Sequence, residues 1–125
     1  MINLIIDTDI GDDPDDILVL YLILLHPELF NLIALVSGDE VHGNHRAKLL
    51  SLILKKFKRN NVPVYVGTDF GSTKFLFDAV EIESENAEKP IRFSTDDIAK
   101  MCKDIEGDIY YLCIQGQTNL ARIIN

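Results

Sequence analysis

The sequence predicts an α/β fold, a parallel, Rossmann-like doubly wound sheet. Three observations carry that expectation. Short, β-branched apolar runs recur at residues 2–6, 29–36, 62–66 and 109–114 and read as buried strands. Helical patterns lie between them, and strands alternating with helices favour crossover connections and parallel pairing. The composition, 47% hydrophobic and 26% charged, is that of an ordinary globular chain and argues against disorder.

Ile2-Asn3-Leu4-Ile5-Ile6 forms the first strand and stops at Asp7. A helix follows over 14–26. Pro14 suits a first turn, Asp13 suits the N-cap, and Asp15 and Asp16 sit at the positive end of the dipole. The helix body is apolar almost all round, which predicts deep burial. His26-Pro27 breaks it. Leu29 to Val36 is the second strand, and Ser37-Gly38-Asp39 a turn. A long amphipathic helix runs from about Val41 to Lys58, with Leu49, Leu50, Ile53, Leu54 and Phe57 on its apolar face. Val62 to Val66 is the third strand, ended by Gly67. Residues 68–94 read as mostly irregular, with Phe70, Phe75 and Phe77 either covering a site or packing a loop. Thr95 or Asp96 can cap a helix reaching Lys103. Ile109 to Ile114 is the fourth strand, and Thr118 to Ile124 a short last helix.

Charge is unevenly distributed. The 125 residues carry a net charge of −8, and the excess lies at the front: residues 1–45 hold nine acids and no Lys or Arg, whereas 46–125 hold eleven acids and twelve bases. This balance argues against a nucleic-acid partner, which needs clustered cations. Cys102 and Cys113 lack zinc-like spacing and read as reduced, buried thiols of a cytoplasmic protein. The apolar run from Ile17 to Leu25 is too short to span a bilayer, so no membrane partner is expected.

Six of the early acids fall between Asp7 and Asp16, in the segment Asp7-Thr8-Asp9-Ile10-Gly11-Asp12-Asp13-Pro14-Asp15-Asp16. In open parallel sheets, ligands bind outside the carboxyl ends of the strands, which is where this segment falls. Asp9 leaves the strand while Asp15 and Asp16 open the helix, so a turn at Gly11 can fold carboxylates from both sides toward one point. Hard cations such as calcium and magnesium take several oxygen ligands of this kind. The plainer reading is that Asp12 and Asp13 are solvated caps of the helix start.

The stretch Ile5-Ile6-Asp7-Thr8-Asp9-Ile10-Gly11, followed by Asp15-Asp16-Ile17-Leu18-Val19-Leu20, resembles the N-terminal signature of the inosine-uridine preferring nucleoside hydrolase family, in a form with two additional loop residues. Further similarities follow in order. Leu32 to Asp39 is similar to the family's second strand and turn, and Arg46-Ala47-Lys48-Leu49-Leu50 to the helix after it. Val62-Pro63-Val64-Tyr65-Val66-Gly67 resembles its V-P-V-x-x-G, and Ile114 to Ala121 its segment ending in T-N-L-A. The likeness covers most of the chain outside about 70–107.

The resemblance implies the N-terminal half of the nucleoside hydrolase fold, one domain over 1–125 that is incomplete at its C-terminus. It also implies hydrolysis of the N-glycosidic bond of a ribonucleoside to base and ribose, with calcium as cofactor. By position, Asp9, Asp16 and the main-chain carbonyl of Ile114 correspond to calcium ligands. Asp15 corresponds to the general base for the calcium-bound water, and Asp7 to a supporting residue near the ion. Because the loop is longer, Asp13 could exchange roles with Asp15. Asp39 takes the place of a ribose-facing residue. Such a mechanism is coherent, because a negative pocket stabilises the oxocarbenium-like transition state of glycosidic cleavage.

Family members are typically more than twice this length, and their second half supplies a further calcium-binding Asp and a His. Gln115-Gly116-Gln117 stands where the family usually has Gly-Pro-Leu. Half of a parallel sheet would leave an apolar edge, which favours a homo-oligomer. His42 and His45 lie beside the Asp39 turn, and His26 reads as structural. Two other classes stay open. One is a non-catalytic calcium-binding remnant or fragment of such a hydrolase. The other is a magnesium-dependent phosphotransfer domain, for which Asp69 could end the third strand but no Lys follows the fourth.

Overall fold

A computed structural model describes residues 1–40, 43–71 and 89–125. In chain order the elements are β1 (Ile2–Thr8), α1 (Pro14–Leu25), β2 (Phe30–Ser37), α2 (His45–Lys56), β3 (Val64–Val66), β4 (Ile91–Arg92), α3 (Thr95–Lys103), β5 (Ile109–Cys113) and α4 (Thr118–Ile124). The five strands form one sheet in the order β4-β3-β2-β1-β5, with every pair parallel. The α/β doubly wound expectation therefore holds.

Period-2 geometry sends alternate strand residues to opposite faces. Leu4, Ile6, Leu32, Leu35 and Val64 pack on one face beneath α1 and α2. Ile5, Ala34, Val36 and Tyr65 pack on the other with Phe93 and with Ile98 of α3, and Ile123 of α4 joins them. The pairing of β1 with β2 shifts register between Leu4 and Ile5, so that Leu4 opposes Leu32 but Ile5 opposes Ala34. The residue skipped, Ile33, joins Ala34 in the second core.

Several details differ from the sequence expectation. β4 was hidden in the span read as irregular; two residues are too few to show a period. α2 starts at His45 rather than near Val41, because Asn44 takes a left-handed conformation (φ 59°, ψ 41°) that a helix cannot include. Ser94, not Thr95 or Asp96, caps α3, its hydroxyl accepting from the Asp97 N–H at 3.3 Å. α1 is not deeply buried. Leu20, Ile23 and Leu24 reach the core, but Leu18, Leu22 and Leu25 are each about 60% exposed, since nothing in the described fold covers the helix's outer face. Cys102 and Cys113 are half-buried rather than buried.

Strand order reverses at β1. The chain moves outward through β2, β3 and β4, then returns to place β5 on β1's free side. The carboxyl ends of β1 and β5 thus flank a topological switch point, the usual position of a ligand crevice in such sheets.

Candidate functional site

The loop leaving β1 is shaped by its own backbone and by one arginine. Gly11 has φ 120°, a conformation L side chains rarely adopt, so the turn between Asp9 and Asp16 needs glycine there. Arg46, on α2, is fully buried beneath this loop. Its Nε donates to the Asp39 carbonyl at 2.9 Å, and its Nη1 to the Ile10 carbonyl at 2.8 Å and to the Asp9 carbonyl. Nη2 pairs with the Asp12 carboxylate at 3.2 Å. The guanidinium's five donors serve three carbonyls and a carboxylate at once, more acceptors than a lysine has donors. Asp12 is thereby tied to Arg46 by one oxygen, while its Oδ1 is buried without a hydrogen-bond partner among the described residues.

Glu40 organises the neighbouring turn. It is fully buried, and its carboxylate accepts from the Arg46 and Ala47 N–H groups at 2.8 and 3.1 Å and from the Ser37 hydroxyl at 2.7 Å. A carboxylate from the preceding loop thus takes over the capping of α2, whose formal N-cap, Asn44, makes no side-chain cap bond.

Asp7 is a second fully buried carboxylate, at the end of β1. It accepts from Tyr111 Oη at 2.8 Å, Asn119 Nδ2 at 3.0 Å, Gln115 Nε2, and the Cys113 thiol at 3.8 Å. Burial pushes its pKa up, and these neutral donors pull it back. Burial and the Asp7 charge push the Tyr111 hydroxyl and the Cys113 thiol upward, so both stay protonated as donors. Asn119 extends the network: Nδ2 also reaches the Ser37 carbonyl at 3.2 Å, and Oδ1 accepts from Thr68 N–H and Oγ1, both at 2.8 Å. Gly67 makes room for it, since a Cβ there would lie 2.4 Å from Asn119 Nδ2 and 2.0 Å from the Ser37 carbonyl.

Asp9 and Asp16 flank the Gly11 turn, and both are half-buried. Thr8 links them to the strand end, donating to Asp16 Oδ1 at 2.7 Å and accepting from the Ile10 N–H at 3.1 Å. Burial raises the pKa of each. Asp12 and Asp39 push Asp9 further up, Asp9 and Asp15 push Asp16 further up, and Arg46 opposes both shifts.

The other sequence-selected residues stand further out. Asp15 is exposed, and its Oδ1 accepts from the Asp16 N–H at 3.1 Å. Asp13 occupies the N-cap of α1 but makes no side-chain cap bond and is exposed. Asp39 is half-buried with φ 43°. Ile114 follows β5, its N–H donating to the Asp7 carbonyl at 2.9 Å and its side chain packing on the first core. His45 is half-buried at the start of α2, and exposed His26 pairs with Glu28 at 3.0 Å. Phe70 is exposed. His42, Phe75 and Phe77 lie outside the described residues.

The structure therefore brings Asp7, Asp9 and Asp16 to one end of β1 and leaves Asp13 and Asp15 on the outer rim. Among the described residues, no group of three or more His, Cys, Asp or Glu side chains is gathered closely enough to hold a metal ion. The donor chemistry nonetheless suits a hard cation, being all oxygen, with an unpartnered buried oxygen on Asp12 in the same loop. Sequence reasoning missed Glu40, Tyr111 and the buried roles of Arg46, Gln115 and Asn119. A usable signal was that Arg46 is the first base after an acid-only stretch.

No protein-family model matches this chain, and no curated protein sequence matches it.

Proposed function

We propose that the crevice at the β1–β5 switch point is the active site of a nucleoside N-ribohydrolase, as the resemblance in the sequence implies. One observation carries the reading most. Asp9 and Asp16, on opposite sides of the Gly11 turn, are half-buried carboxylates with raised pKa values at the topological switch point. Asp9, Asp16 and the Ile114 carbonyl would hold calcium. The ion would supply positive charge that orients ribose hydroxyls and makes a water easier to deprotonate. Asp15, exposed at the mouth, would accept the proton, and Asp13 on the same rim is the alternative base. Asp39 would meet the ribose. Asp7 would position the end of β1 through its bonds to Tyr111, Gln115 and Asn119. The concentrated negative charge would stabilise the oxocarbenium-like sugar as the base departs.

The test is ribose release from inosine, uridine and a nitrophenyl riboside, with calcium and with chelator. Calcium-dependent release abolished by Asp16→Asn supports the reading. No release from folded protein in the presence of calcium refutes it.

A second reading, a calcium-binding remnant without catalysis, is favoured by Gln115. Its carboxamide donates to Asp7 and takes the space over Gly38, partly filling the crevice. Calcium binding without ribose release would select it. The exposed face of α1 at Leu18, Leu22 and Leu25 supports a homo-oligomer in either reading. A Leu22→Asp variant sedimenting at the same size as the parent would argue against that contact.

A further inference from the structure

A groove of about 560 Å³ lies at the carboxyl ends of β3 and β4, apart from the acidic loop of β1. Thr68, Asp69, Arg92, Phe93 and Arg122 contribute to its lining. Its size is within the usual range of small-molecule sites, and it lies at the carboxyl ends of strands, away from the switch point. We propose that it is a phosphate-binding site, taking the phosphate group of a small phosphorylated molecule between Arg92 and Arg122.

The charge is the first argument. In a chain of net charge −8, the described residues that line this groove include two arginines and one carboxylate. One oxygen of that carboxylate, Asp69 Oδ1, accepts from the Gly71 N–H at 2.6 Å, and its charge opposes an anion. Preorganisation is the second. The Arg122 guanidinium carbon sits 4.7 Å from the centroid of the buried Phe93 ring, and Nη1 lies 3.4 Å from Thr68 Oγ1. A guanidinium held over a ring loses less freedom on binding and keeps in-plane donors for a phosphate. Arg92 ends the edge strand β4, opposite Val66, and is exposed. Both arginines line the groove, and a guanidinium fork suits a phosphate's several oxygens.

The groove is also linked to the acidic end of β1 by hydrogen bonds. Thr68 lines it, and Thr68 binds Asn119, which binds Asp7. Combined with the reading of the crevice, this makes the substrate class phosphorylated ribonucleosides, an extension that rests on that reading. The phosphate site itself does not depend on it.

The experiment is an NMR and calorimetric titration of the full chain with inorganic phosphate, ribose 5-phosphate and ribose. Saturable shifts at Arg92, Phe93 and Arg122 with both phosphates are expected, and none there with ribose. Arg92→Gln should weaken binding about tenfold, as loss of a charge-assisted contact does. Asp69→Asn keeps an acceptor for Gly71 and should tighten binding severalfold, an outcome misfolding cannot mimic. Absence of saturable shifts, or unchanged affinity in folded Arg92→Gln, overturns the site. Equal affinity for phosphate and ribose 5-phosphate supports the site and overturns the extension to phosphorylated ribonucleosides.

Discussion

At the carboxyl ends of β1 and β2, Asp7, Glu40 and Arg46 are buried and bonded, whereas at the β3–β4 groove the arginines stand in solvent. Asp7, Glu40 and Arg46 are all fully buried, and each has several hydrogen-bond partners. Arg92 and Arg122 are both exposed. The same carboxyl end of the sheet thus holds two kinds of polar architecture. The first uses charge to build a loop, and its charges are costly to disturb. The second leaves charge available to an incoming group. Substitutions of the buried Asp7, Glu40 or Arg46 should therefore change stability, and substitutions of the exposed arginines should change binding.

The largest effect is expected at Arg46. Removing it leaves the Asp9, Ile10 and Asp39 carbonyls without this donor and Asp12 without its counter-charge. Arg46→Met should destabilise the chain by about 3–5 kcal/mol, the usual cost of breaking a buried charged contact, read from urea unfolding. A loss below about 1 kcal/mol, the scale of a surface pair, would show that the loop holds its shape unaided.

Asn119→Ala comes next. It removes two donor and two acceptor contacts among β1, β2, β3 and α4. A loss of about 2–3 kcal/mol is expected, because buried partners lose their bonds without gaining water. Chemical denaturation would measure it, and an unchanged midpoint would place the network's strength elsewhere.

The pH dependence is a smaller effect with a definite sign. Burial raises Asp7, Asp9 and Asp16 above the ordinary aspartate range, so the folded chain holds protons that the unfolded chain has released. Their contribution is fully present below the unfolded value of about 4 and is lost as pH rises through the raised folded values. The Tm of chelator-treated protein should fall from about pH 4 toward neutrality, and Asp16→Asn should flatten the slope. A Tm that rises over this window would contradict the burial of these groups.

The smallest effect belongs to the groove. Arg92→Gln should change unfolding free energy by less than about 0.5 kcal/mol, as exposed substitutions do. A loss comparable to that of Arg46→Met would erase the contrast between the regions.

The parts legible in the sequence were those that depend on neighbours along the chain. The apolar runs of β1, β2 and β5 and the Pro14 start of α1 carry local signals of period and capping. The carboxylates of Asp7, Asp9 and Asp16 were visible because they crowd into ten positions. The partners of Asp7 were not visible, since Tyr111, Gln115 and Asn119 lie more than a hundred residues away and meet it only when β5 docks on β1. Arg46 was noted only as part of a helix, because its acceptors are backbone carbonyls, which no residue pattern reveals. The exposed face of α1 was misjudged for a related reason. An apolar helix shows how much could be buried, while the sheet decides which stripe is.

We propose above that Asp9 and Asp16 bind a cation at the end of β1. Calorimetric titration of the chelator-treated chain with calcium tests it most directly, with Asp16→Asn and Asp69→Asn measured alongside. Saturable binding that raises Tm, is lost in Asp16→Asn and is kept in Asp69→Asn is the expected result. Calcium that binds none of the three proteins, or binds Asp16→Asn as well as the parent, would contradict it.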